Sequence, residues 1–497
     1  MLPSEPGQIR LRPKQAEILG YTHGRMGVSA VPGSGKTWTL SLLASSLLSR
    51  GVLEQDQEIL IVTLVNSAVN NFYQRVSGFI ESQGLIPNIG YRVRTLHGLA
   101  NDIVRERPDL AGLEANFQII DDNEADEIRI DVSRAWLHSH PETLDEYLSD
   151  AYDQEKMDWV RREQLPDLVK DIALSFIRYA KDRRETPEQL SRQLESLPIP
   201  LPLAIMGCEI YAGYQRALAY RGAVDFDDLI RYALHTLESD ASLLERLQFR
   251  WPYILEDEAQ DSSALQEQIL QALSRQTGNW VRVGDPNQAI YETCTTANPS
   301  FLREFLQKPG VLRRSLPNSG RSTPGIIRLA NFLVDWTMTE HPLPEARDAL
   351  QAPPHIEPTG YDDPKPNPPD SQTYIRLITH KFTPADEIQA VADSIERWLP
   401  EHPDQTVAVL SPRNTRAFEL VDELRKRSLP FMDDFLRSSN STRSSAGSIA
   451  HLLRHLADPQ SAAKLAQAFQ VWRRGDRTDE TTLPRLQRIT EILRKIT

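Results

Sequence analysis

Cysteine is nearly absent from this chain of 497 residues: Cys208 and Cys294 are its two, far apart. That excludes a disulfide framework and any Cys/His spacing of a structural metal site. Long apolar runs are missing as well. No stretch reaches the roughly 18 apolar residues a membrane span requires. The N-terminus, MLPSEPGQIRLRP, has no apolar core of signal-peptide length. These absences predict a cytoplasmic chain with no membrane partner. A positive charge excess is lacking too. The net charge of −13 argues against coating nucleic acid by bulk attraction, but leaves room for a local basic groove. Residues 436–497 run the other way, with 11 Lys and Arg against 5 Asp and Glu. A basic end suits nucleic-acid contact and equally a solvated face of helices.

What remains is ordinary in bulk. A chain with 40% hydrophobic and 25% charged residues is globular, and its length predicts two to four domains. Its most informative stretch is Gly27–Leu48, GVSAVPGSGKTWTLSLLASSLL. A short small-and-apolar run leads into Ala30, Val31, Pro32, Gly33, Ser34, Gly35, Lys36 and Thr37, and a Leu/Ala/Ser stretch follows. Strand, glycine turn and helix are the setting of a phosphate-binding loop. The glycines let backbone N–H groups turn inward around a polyphosphate, and the helix adds its positive dipole end. Lys36 reaches terminal phosphates and the Thr37 hydroxyl suits Mg²⁺. Ala30 stands where the strict pattern has glycine.

Two acidic strand ends follow. PYILEDEAQD, residues 252–261, is an apolar strand closing on Asp257 and Glu258. In a P-loop enzyme the first carboxylate holds Mg²⁺ and the second orients or deprotonates water. VGDPNQAIY, residues 283–291, puts Gln288 just past another strand end. Taken singly, each of these segments is equally readable as an ordinary turn. Their order and spacing after the phosphate loop select the catalytic reading.

Patterning predicts strands at 58–64, 91–95, 253–255 and 280–283, with Gln15 on a short helix over 11–19. Residues 101–220 are charged and helical, broken by prolines, and predict an insertion within an α/β domain. Residues 342–369 hold nine prolines and predict a poorly structured loop or linker. Beyond them, strands at 374–379 and 406–410 alternate with helices at 385–398 and 415–426.

In this order the motifs resemble those of the UvrD/Rep-like superfamily 1 DNA helicases. Gln15 in LRPKQAEIL matches the adenine-reading Q motif, and AVPGSGKT matches motif I. ILIVTLVNSA (59–68) and TLHGLA (95–100) match the strand-binding motifs. VDFDDL (224–229) matches the return from the insertion. LEDEAQDS (255–262), VGDPNQAIY and Gly320-Arg321-Ser322-Thr323 match motifs II, III and IV.

The resemblance implies an α/β fold of two RecA-like parallel-sheet P-loop domains. Residues 1–100 with 221–314 form the first, and 101–220 its helical insertion. Residues 315–457 form a second, incomplete domain, and 458–497 begin its inserted helical subdomain. It implies an ATP-hydrolysing DNA helicase of 3′–5′ type acting in repair or recombination. Its cofactors are ATP and Mg²⁺, and its partners single-stranded DNA and duplex junctions. Gln15 reads adenine, the loop from Ala30 and Lys36 hold phosphates, and Thr37 and Asp257 hold Mg²⁺. Glu258 activates water, and Gln288 and Arg321 sense the γ-phosphate. Thr63, Asn66, Thr95, His97 and Tyr291 contact DNA.

Four departures stand out. Thr63-Leu64-Val65 replaces Thr-Phe-Thr, and Glu292–Thr295 replaces an Arg-Gly-Ala stretch. Each lost base-stacking aromatic removes about 1–3 kcal/mol. Gly320 replaces the tyrosine before the motif IV arginine, which predicts looser nucleotide selectivity. Motifs V and VI, Thr-x-His-x-x-Lys-Gly and Tyr-Val-x-x-Thr-Arg, do not occur in the C-terminal third. That predicts a truncated or split helicase, or an ATP- and DNA-binding subunit completed by a second polypeptide.

Overall fold

The computed structural model describes residues 10–432 except 85, 142, 149–152, 290–296 and 372–373, together with 449, 452–473 and 483–494. By internal contacts the chain divides into two compact units, Met1–Ile375 and Arg376–Thr497.

The first unit is organised by its strands: β1 (Arg25–Ala30), β2 (Ile59–Thr63), β3 (Tyr91–Thr95), β4 (Gln118–Ile119), β5 (Ala223–Val224), β6 (Tyr253–Glu256), β7 (Trp280–Gly284), β8 (Val311–Leu316), β9 (Asn318–Ser319) and β10 (Glu357–Pro358). Six of them make one parallel sheet in the order β3-β2-β6-β7-β1-β8. The mixed α/β class expected of the sequence is therefore present. Ile59–Val62 are wholly buried because helices cover both faces of the sheet, which is what an unbroken apolar run requires. On one face pack α1 (Pro13–Leu19), α2 (Lys36–Ser49) and α3 (Asn66–Ser82), through Ile18, Leu43, Leu47, Phe72 and Val76. On the other face pack α4 (Leu96–Glu106) and the helices Phe226–Ser239 and Ala264–Ser274, through Ile103, Ala233 and Leu270.

β8 was not legible as a strand. Its sequence, VLRRSL, carries two arginines that an edge strand leaves toward solvent. It runs across the domain boundary expected after residue 314.

The helical segment between β4 and β5 is closed at its two ends. β4 pairs with β5 in parallel, closing the segment where it leaves and returns. One buried cation completes the joint. Lys181 Nζ, on the helix Leu165–Asp182, lies 2.6 Å from Asp225 Oδ2 and 2.8 Å from Asp228 Oδ2. Asp225 also caps the helix Phe226–Ser239, accepting from the Asp228 N–H at 2.8 Å, and accepts from Tyr214 Oη at 2.8 Å. Burial opposes the Lys181 charge, but the two aspartates outweigh it and raise its pKa. Burial likewise opposes the Asp225 charge, and Lys181 lowers that carboxyl to about 2. VDFDDL thus locks the helix Leu165–Asp182 to the helix Phe226–Ser239.

In the second unit the helices Pro384–Trp398 and Asn414–Lys426 form as expected and pack through Ala392, Ile395, Leu420 and Leu424. The strands expected at 374–379 and 406–410 carry no ladder. Leu377 and Leu410 are 88% and 93% exposed. Apolar patterning marks a segment that can be a strand, but a strand exists only beside a partner. None of the described residues pairs with these two.

Candidate nucleotide site and nucleic-acid edge

The phosphate loop, the acidic pair and Thr63 and Thr95 follow or close the carboxyl ends of β1, β6, β2 and β3, the usual position of a ligand on such a sheet, and Gln15 reaches the loop from α1. β1 runs into Val31–Gly35 and then α2. Gly33 and Gly35 have φ of +75° and +87°, which side chains resist, so the loop can curl its N–H groups inward. A Cβ on Gly33 would also lie 2.6 Å from the Cβ of Arg321 and from Ser319 Oγ. The segment from β9 to Arg321 therefore crosses directly over the loop. Gly35 caps α2 without a side-chain hydrogen bond, leaving first-turn N–H groups for an anion. Gln15 is buried against the loop, its Nε2 donating to the Ser34 carbonyl at 3.4 Å.

Three successive acids stand at the end of β6, Glu256 as its last residue and Asp257 and Glu258 just beyond it. Glu256 turns into the core, where Arg282 of β7, its register partner, neutralises it at 2.8 Å. Trp280 Nε1 and Ser262 Oγ donate to the same carboxylate at 3.0 and 2.8 Å. That leaves Asp257 and Glu258 to the loop. Asp257 Oδ2 accepts from Thr37 Oγ1 at 2.8 Å, and Oδ1 is buried without a hydrogen-bond partner. Glu258 Oε2 lies 2.9 Å from Lys36 Nζ. Its backbone is left-handed, φ +55°, a strained state for a non-glycine residue that costs on the order of 1–3 kcal/mol. The strain turns its carboxylate back over the loop.

Burial, reinforced by the Glu258 charge, raises Asp257 to about 6 against the pull of Lys36 and Thr37. Asp285, after β7, is raised by burial as well. An orphaned carboxylate oxygen beside a threonine hydroxyl at a phosphate loop fits Mg²⁺, which is held by one or two carboxylates plus substrate phosphates and water. No group of three or more His, Cys, Asp or Glu suited to a metal occurs among the described residues.

Sequence reasoning assigned no role to the residue that joins the two acidic strand ends. Gln260 Nε2 donates to Glu258 Oε2 at 2.9 Å, and its Oε1 accepts from the Asp285 N–H at 3.0 Å. The glutamine two positions after Glu258 was the available signal. Gln288 is half-buried in the turn beyond, its N–H on the Asp285 carbonyl at 3.0 Å.

Four of the five residues expected at nucleic acid lie together on the other side of β6. Thr63 and Thr95 are register partners at the ends of β2 and β3. Asn66 is exposed at the start of α3. His97 packs its ring on Phe226 at 5.1 Å, and burial lowers its pKa against the pull of Asp122. Thr95 caps α4, accepting from the Gly98 N–H at 3.1 Å. The Asp257 N–H donates to the Val62 carbonyl at 2.9 Å, tying this edge to the acidic pair. Tyr291 lies outside the described residues, as do Glu292–Thr295.

Comparison with known proteins gives the family. The chain matches the UvrD/REP helicase N-terminal domain family over residues 11–309. It is 26% identical over 329 residues to the ATP-dependent DNA helicase PcrA of Staphylococcus epidermidis, covering 66% of this chain and 40% of that protein. It is 26% identical over 321 residues to PcrA of Staphylococcus aureus, covering 65% of this chain and 39% of that protein. The chain thus spans about two fifths of the length of these relatives. With the matched residues covering more than half of it, the chain belongs to the UvrD/REP helicase family.

Proposed function

We propose that this chain is the motor portion of an ATP-hydrolysing DNA helicase of 3′–5′ UvrD-like type, moving along single-stranded DNA toward duplex junctions in repair or recombination. The observation that carries the reading is the paired geometry at the loop: Thr37 on Asp257 at 2.8 Å and Lys36 on Glu258 at 2.9 Å. In this reading MgATP, when bound, supplies the γ-phosphoryl group and the divalent cation. Lys36 and the N–H groups from Ala30 to Gly35 take the phosphates, and Gln15 faces adenine. Thr37 and Asp257 hold Mg²⁺. Glu258 accepts a proton from the attacking water, which is worth about 10²–10⁴ in rate. Gln288 and Arg321 respond to the γ-phosphate. The DNA strand contacts Thr63, Asn66, Thr95 and His97, and Tyr291 is proposed as a further contact.

The domain reading belongs to this proposal: 1–100 with 221–314 as the first motor domain, 101–220 as its insertion, 315–457 as the second and 458–497 as a further helical piece. A cytoplasmic location belongs to it as well. No helix among the described residues is long and apolar enough to cross a membrane. Unwinding of a duplex with a 3′ single-stranded tail, and not of one with a 5′ tail, is the expected result. Preference for the 5′ tail would overturn the polarity.

A second reading has its own observation. Leu377 and Leu410, 88% and 93% exposed on apolar stretches, suit a chain that binds ATP and DNA but unwinds only together with a second polypeptide that covers them. Unwinding by the purified chain alone would eliminate it.

A further inference from the structure

The Pro-rich stretch 342–369, expected as a loose linker, is bound to three separate motifs of the first unit. Asn287, in the turn after β7, exchanges two hydrogen bonds with the backbone of Gln351, both 2.9 Å. β10 pairs with β9, and Asn367 Nδ2 donates to the carbonyls of Ser319 at 2.6 Å and Ser322 at 2.8 Å. Farther along, Asp363 takes the guanidinium of Arg12 in a two-pronged pair, Nε at 2.8 Å and Nη2 at 3.1 Å. Both side chains are largely buried, 11% and 7% exposed.

That guanidinium does more than hold the stretch. Through Nη1 it donates to the carbonyls of Asn318 at 2.8 Å and of Ser34 at 3.3 Å. Ser34 belongs to the phosphate loop, and its carbonyl already accepts from Gln15. In a trans peptide the C=O and the following N–H point in opposite directions. Holding the Ser34 carbonyl outward therefore aims the Gly35 N–H to the inner side of the loop, where phosphate binds. The carboxylate of Asp363 fixes the arginine fork that does the holding.

Gly320 belongs to the same arrangement. A Cβ there would run into the Lys365 carbonyl and lie 2.8 Å from Arg12 Nη2. The side chain missing before Arg321 and the proline stretch far behind it are two halves of one packing.

We infer that residues 351–367 form a strap of the nucleotide site, in which Arg12 and Asp363 are positioning residues that set the phosphate loop through Ser34. The inference rests on the ATP-binding reading above and assigns a role to residues outside its motifs.

The test is titration of the full chain with a fluorescent ATP analogue in Mg²⁺, alongside steady-state hydrolysis. Asp363→Ala and Arg12→Ala are expected to weaken analogue binding about tenfold, as loss of a charge-assisted pair does. KM for ATP rises similarly, while kcat at saturation stays within about twofold of the unmodified chain. Arg12→Lys, which keeps a charged donor for the Ser34 carbonyl, keeps part of the affinity. Asp370→Ala breaks a contact just beyond the stretch, with Arg328, and leaves KM unchanged. Folded Asp363→Ala and Asp363→Asn variants that both bind like the unmodified chain would overturn the strap's role. So would equal weakening by Asp370→Ala. Failure of the unmodified chain to bind the analogue defeats the nucleotide reading itself, and the strap with it.

Discussion

Lys36 Nζ and Glu258 Oε2 are 2.9 Å apart, so the cation of the glycine loop and the carboxylate after β6 neutralise one another across the loop. On the proposed reading, a polyphosphate entering the loop competes with Glu258 for the ammonium, and binding and activation of the base are one event: phosphate that draws Lys36 away releases the carboxylate.

The two residues are therefore expected to fail differently. Glu258→Gln removes the proton acceptor, so ATP hydrolysis falls by about 10²–10⁴ while MgATP affinity is kept or improved, because a neutral amide competes less for Lys36. Lys36→Ala loses affinity as well as turnover. Equilibrium nucleotide binding and phosphate release, measured on both variants, distinguish these outcomes from a shared structural defect.

Asp257 gives a pH dependence whose sign is fixed. Its folded pKa is raised to about 6 from 3.8, so the folded state is favoured by protonation and loses that advantage as pH rises through about 6. Without Mg²⁺ and nucleotide, Asp257→Asn should raise stability at pH 8 by up to about 3 kcal/mol and have little effect near pH 4. Urea unfolding at the two pH values reads this out. Added Mg²⁺ with nucleotide should narrow the difference for the unmodified chain alone.

The lock between these two helices, Leu165–Asp182 and Phe226–Ser239, should be costly to break from one side. Lys181→Met leaves Asp225 and Asp228 buried beside an apolar group, and about 3–5 kcal/mol of stability should be lost. Replacing all three, with Asp225→Asn and Asp228→Asn added, should recover part of that loss. Denaturant midpoints compare the two.

At the nucleic-acid edge, Asn66→Ala and His97→Ala should each weaken single-stranded oligonucleotide binding about three- to tenfold, in the range of one lost base contact, with MgATP affinity unchanged. Burial lowers the His97 pKa, so the ring is neutral when it acts. The effect of His97→Ala should be the same at pH 7 and pH 8. Fluorescence anisotropy at both values tests it.

Legibility in the sequence followed the range of the interaction. The phosphate loop, Asp257-Glu258 and Gly284–Gln288 were readable because each is a contiguous strand end with its turn. Glu256 was not, because in a run of three acids only register decides which one meets Arg282. β8 was hidden by the arginines an edge strand tolerates. Arg12 and Asp363 are 351 positions apart, and nothing local to either announces the other. The proline stretch was read as loose because proline excludes helix and central strand. It says nothing about hydrogen bonds offered by other segments, and those bonds made the strap. At 374–379 and 406–410 the apolar pattern was readable, while the pairing it depends on was not.

The central claim is that this chain couples ATP hydrolysis to single-stranded DNA through the Lys36–Glu258 site. Phosphate release from MgATP, with and without a single-stranded oligonucleotide, tests it most directly in the unmodified chain and in Glu258→Gln. The account predicts hydrolysis that rises at least about tenfold with DNA and is lost in the variant, on the scale of a missing general base. Hydrolysis at the same rate in both proteins, indifferent to DNA, would contradict it.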